Sequence, residues 1–197
     1  MAEFEPTPEF KKNVLTLQII VGAMCLGVFF FLLISVFVVH STPSKTPPPS
    51  GPPILFYVGL GLTGVLSMSR FVVLSVLLSS ALKAVARGTW KPSARTTLPM
   101  PFPIPTQTMP IPTDDAGRLF SIYRTQKIVG AAMIEAPAFF LLVTYNVEHR
   151  IEAVAVAVVL LVAMLLQIPT STGVSHWVTA QLQNIEQLKR DGAGVNA

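Results

Sequence analysis

A single cysteine, Cys25, in 197 residues excludes an intrachain disulfide and any cysteine-rich metal site. Set inside an apolar block, it reads as a buried, inert thiol. Charge is scarce too. Only 12% of residues are Asp, Glu, Lys or Arg, and the net +4 is not gathered on one soluble patch, which argues against a nucleic-acid partner. Ser, His and Asp never fall together in a nucleophile motif, and no phosphate-binding loop occurs. His40, His149 and His176 lie in three separate regions. Glu148 and Glu152 flank His149, but without the spacing of a metal-ligand motif. The glycine run GLGLTG (59–64) follows no predicted strand, so it is not a dinucleotide fingerprint. The chain is not expected to be an enzyme, and no metal and no cofactor are expected.

What the sequence has in quantity is apolar length. Half of it (51%) is hydrophobic, and the mean hydropathy is +0.60. The expectation is an all-α integral membrane protein with four transmembrane helices plus a C-terminal amphipathic interfacial helix. Residues 1–13 form a polar tail and 14–39 the first span. That block, at 26 residues, is too long for the 7–15-residue core of a signal peptide and lacks a small-x-small cleavage site after it, so it is expected to be retained. A proline-rich connector, 40–53, holds Pro47, Pro48 and Pro49, which favour an extended spacer.

The second span, 54–82, carries Gly59, Gly61 and Gly64, small residues that let another helix backbone approach closely. A hydrophilic loop, 83–127, follows. It opens on Lys83, Arg87, Lys91 and Arg95 with Trp90 at headgroup depth, and continues through Pro99, Pro101, Pro103 and Pro105, where no regular ladder survives. Thr113, Asp114 and Asp115 then offer an N-cap and an acidic first turn for a helix running through Arg118, Arg124 and Lys127 into the third span, 128–145. The turn 146–150 is so short that the fourth span, 151–168, must be an antiparallel neighbour. In 169–197, Val174, Trp177, Val178, Leu182, Ile185 and Leu188 recur at helical spacing, as in a helix lying on the membrane surface, and DGAGVNA ends the chain as a disordered tail.

Lysine and arginine set the orientation. Placing both termini and the 83–127 loop on one side leaves only Lys45 and Arg150 on the other. The positive-inside rule then puts both termini in the cytoplasm. The partners expected are the lipid bilayer and other membrane subunits or further copies of the chain.

Two charges fall within the spans, Arg70 and Glu135. An ionised carboxylate deep in a bilayer costs about 2.5–3.5 kcal/mol by insertion scales. Either a partner offsets that cost or the proton stays on. At about 1.5 Å per residue, Glu135 lies about 11 Å and Arg70 about 12 Å from the cytoplasmic edge, so the two can meet as an ion pair between the second and third helices. Alternatively Arg70 snorkels toward the headgroups and leaves Glu135 alone.

The segment IYRTQKIVGAAMIEAPAFFLLV, Ile122 to Val143, combines a basic approach, the small run Gly130-Ala131-Ala132, then Ile134-Glu135-Ala136 and Phe139-Phe140-Leu141-Leu142. It resembles the ion-binding helix of the c subunit (proteolipid) of F-type ATP synthases. The resemblance implies that Glu135 takes up and releases a transported proton or sodium ion, with Ala131 and Ala138 on the same face giving close packing. The alternative is a non-catalytic scaffold or accessory subunit in which Arg70 and Glu135 form a structural ion pair.

Overall fold

The computed structural model describes residues 7–41, 52–90 and 115–194, with side chains up to Arg190. Most of the 40–53 connector, the alternating prolines of the long loop, and Thr113 and Asp114 of the expected cap lie outside the described residues. The apolar blocks, free of internal breakers apart from one proline, form α1 (Pro8–Ser41), α2 (Ile54–Ala86), α3 (Asp115–Glu148) and α4 (Ile151–Leu165). An amphipathic α5 (Ser171–Gly194) completes the chain, and no strand occurs among the described residues.

Three helices, α1 to α3, are long and apolar enough to cross a membrane, consistent with a multi-pass membrane protein. The fourth block forms a shorter element. The 15 residues of α4 span about 22 Å, less than a hydrocarbon core of about 30 Å. Pro169 and the polar Gln167 stop the helix there, where the sequence pattern extended it to Ile168.

The centre of the bundle is α3, which packs against each of the other four helices. Pairs at three levels show α1 running parallel to it. Phe10 meets Phe120 edge-on at 5.3 Å, Phe31 meets Phe139 at 5.3 Å, and Asn146 Nδ2 donates to Ser35 Oγ at 2.9 Å. On α3 the fully buried positions are Leu119, Ala131, Ala138, Leu141 and Leu142. By contrast α2 keeps most of its circumference open. Its most apolar window has no buried residue, and Phe71 and Met68 are each 77% exposed.

The entry to α2 is held from outside. Pro53 offers no side-chain cap, yet the first backbone N–H groups are satisfied. Leu55 N donates to Glu148 Oε1 at 2.8 Å and Phe56 N to Glu148 Oε2 at 3.1 Å. A carboxylate at the positive end of a helix macrodipole is doubly favourable. Glu148→Ala is therefore expected to destabilise the protein by about 1–2 kcal/mol, with Glu148→Gln intermediate because it keeps one acceptor. Thermal unfolding in detergent measures both.

The amphipathic helix differs from the surface-lying element expected from its periodicity. Its apolar stripe is covered by protein: Val174, Val178 and Ile185 are fully buried. Trp177 packs at a tilt against Tyr123, ring centres 5.0 Å apart, and Lys189 Nζ reaches Asp115 Oδ2 at 2.9 Å. These contacts align α5 antiparallel to the first turns of α3. The helix also extends to Gly194, so the first residues of the expected tail are helical.

Candidate functional site

The polar residues inside the bundle fall into two groups on different faces of α3. One gathers where α4 breaks. Arg70 crosses α3 at Gly130, where a Cβ atom would sit only 3.3 Å from Arg70 Nε and 3.5 Å from Leu74 Cδ1. A side chain at this position would crowd the guanidinium. Arg70 Nη2 then donates to Gln167 Oε1 at 2.7 Å, while Gln167 Nε2 donates back to Ala163 O at 2.9 Å. Nearby, Gln18 Nε2 donates to Pro169 O at 2.7 Å, satisfying a carbonyl that the break releases. A cation beside the last turn of α4 also complements that helix's negative pole. Lys127, its ammonium 5.4 Å from the centre of the Tyr123 ring, lies within electrostatic range of Arg70.

The other group is the seam between α1 and α3, and it holds Glu135. The carboxylate is half-buried and within electrostatic reach of Cys25 on α1. One turn later Phe139 packs on Phe31, so the same α3 face continues along α1. Among the described residues Glu135 has no hydrogen bond and no ion pair.

The expected Arg70–Glu135 ion pair is thus not made. Depth alone brought the two together, but direction separates them. Gly130, which faces Arg70, is five residues from Glu135. Five residues turn the helix by about 140° and advance it by about 7.5 Å. The guanidinium of Arg70 is instead turned to Gln167 at the end of α4.

The packing residues divide likewise. Ala131 and Ala138 are fully buried. A Cβ at Gly59 would lie 2.9 Å from Leu141 Cδ2 and 3.1 Å from Phe140 Cδ1, so any side chain there requires those neighbours to shift. A Cβ at Gly61 or Gly64 would meet nothing within 4 Å, so neither position requires glycine for a close approach among the described residues.

Three features were missed in the sequence. Gln167 is the partner of Arg70, and its signal was an amide next to a helix-breaking proline. Glu148 caps α2, and its signal was a helix opening on Pro-Pro with no capping side chain of its own. Pro137, buried two residues beyond Glu135, removes the backbone donor that the Met133 carbonyl would meet in a regular helix.

Comparison with known proteins finds no matching family model, no matching curated protein and no matching solved structure.

Proposed function

We propose that this chain is a proton-handling subunit of a membrane complex, in which Glu135 binds and releases a proton. The observation that carries this reading is the isolation of Glu135. It is a carboxyl group half-buried in the α1–α3 seam, with no hydrogen bond or ion pair among the described residues, while the nearest intramembrane cation is held by Gln167. A carboxylate locked by an arginine cannot easily exchange its proton, and this one is not locked. The likeness of Ile122–Val143 to the c-subunit helix supports the same role for Glu135.

In this reading α4 and the Gln167–Pro169 break complete a fourth crossing, both termini lie in the cytoplasm, and the open face of α2 meets lipid or another subunit. The second reading is an accessory scaffold. It is favoured by one observation, the Arg70–Gln167 bond, which pins α2 to the end of α4 without involving Glu135.

Carbodiimide labelling in native membranes tests the proposal, because these reagents attack a protonated carboxyl group in an apolar setting. Labelling located at Glu135, absent in Glu135→Gln, and declining as pH rises while the protein stays folded is the expected result. No labelling of Glu135 at any pH compatible with folding would sink it in favour of the scaffold.

A further inference from the structure

At the basic end of the bundle, the last turns of α2 and α5 flank an open cleft of about 370 Å³ lined by Lys83, Arg87 and Lys189 together with Ala86 and Leu188. Neither Lys83 nor Arg87 has an ion-pair partner among the described residues. Lys189 is bound to Asp115 Oδ2 at 2.9 Å, and Asp115 also pairs with Arg118 at 3.4 Å, so the one carboxylate is shared between two cations. The negative poles of α2 and α5 each favour a nearby cation and Lys189 is also held by Asp115, which leaves Lys83 and Arg87 as two cations at one helix end with no ion-pair partner among the described residues.

The position of the cleft along α2 indicates its occupant. The exposed apolar face of that helix runs through Phe71, Val72, Val76 and Leu77, then gives way to Ser79 and Ser80 and to the exposed Lys83 and Arg87. From Leu77 to Lys83 the helix advances about 9 Å. That is the step from acyl chain to headgroup, and basic pockets between membrane helices at this level hold anionic headgroups. We infer that the Lys83–Arg87–Lys189 cleft binds the phosphate of an anionic phospholipid whose acyl chains lie along the open face of α2. This goes beyond the proton-handling proposal and does not depend on it; it rests only on α2 lying in a membrane.

Native mass spectrometry of the full chain released from nanodiscs tests it, with palmitoyl-oleoyl phosphatidylglycerol diluted in phosphatidylcholine as the probe. The wild type is expected to retain phosphatidylglycerol selectively. Lys83→Gln/Arg87→Gln should weaken that preference about 30-fold, at about fivefold per cation. Lys11→Gln/Lys12→Gln, which removes equal charge from α1 on the same side, should leave it unchanged. Leu188→Trp, which keeps the charges and fills the cleft, should lower it. Equal losses in the two charge variants would mean diffuse attraction, and wild-type retention in Leu188→Trp would place the lipid elsewhere; either overturns the inference. In a separate arm, inorganic phosphate alone is added at millimolar concentration. If it binds in a Lys83- and Arg87-dependent way while phosphatidylglycerol is not retained, the lipid source is overturned in favour of a soluble one.

Discussion

Gly59→Leu is expected to destabilise the protein by about 1–3 kcal/mol, while Gly61→Leu and Gly64→Leu leave it within a few tenths of wild type. In sequence the three glycines are equivalent. In the structure only Gly59 faces α3, where even a Cβ would stand 2.9 Å from Leu141 Cδ2 and 3.1 Å from a Phe140 ring carbon. Both neighbours are large, and Leu141 is fully buried, so the clash cannot be relieved by one side chain swinging away. The larger residue must push α2 off α3 and loosen the contact that positions Arg70 eleven residues further along. Gly61 and Gly64 have open space around them, and a leucine there only adds apolar surface to a face that is already apolar. Unfolding of the three variants in detergent, side by side, decides the matter. A loss at Gly61 or Gly64 comparable to that at Gly59 would show that the open face of α2 is covered in the assembled protein.

Leu141→Ala attacks the same contact from the other side. Large-to-small changes in a buried site cost about 2–5 kcal/mol in soluble proteins, the sum of a transfer part and a cavity part. In a membrane-embedded bundle the transfer part largely falls away, because lipid is as apolar as the core. What remains is the loss of dispersion contacts around the void. About 2 kcal/mol is therefore the expected cost. The two substitutions should not be additive. In Gly59→Leu/Leu141→Ala the added side chain enters the space left by the removed one, so the double variant should be more stable than the sum of the singles predicts. Additivity within about 0.5 kcal/mol would mean that Gly59 and Leu141 do not touch.

These cases show what was legible in the sequence and why the rest was not. The helices announce themselves through unbroken apolar runs. The shortness of α4 is less visible, because Leu165, Leu166 and Ile168 stay apolar through the break and only Gln167 and Pro169 signal it. Periodicity showed that α5 has an apolar face but not what covers it, since a lipid surface and the flank of α3 demand the same spacing. The Arg70–Glu135 pairing failed for a comparable reason. Hydropathy and rise per residue give depth, and depth is one coordinate of two. The direction in which each side chain leaves its helix depends on which face of α3 receives α2, and that is set by tertiary contacts at Gly130 and Gly59. In sequence the glycine at 130 belongs to a small-residue run; in the structure it lies against Arg70 on its way to Gln167. Glu148, outside the apolar span, was weighed only for the metal chemistry of its histidine neighbour, although its carboxylate caps the start of α2.

On the proposed reading, Glu135 binds its proton independently of Arg70. The most direct test compares the pH profile of carbodiimide labelling at Glu135 in the wild type and in Arg70→Gln. A neighbouring arginine ordinarily moves a carboxyl group's titration by about 1–3 pH units. With the guanidinium on Gln167 and the two groups on different faces of α3, the profiles are expected to superimpose. A profile displaced to higher pH by one unit or more in Arg70→Gln, with helicity unchanged, would contradict the account and restore the ion pair.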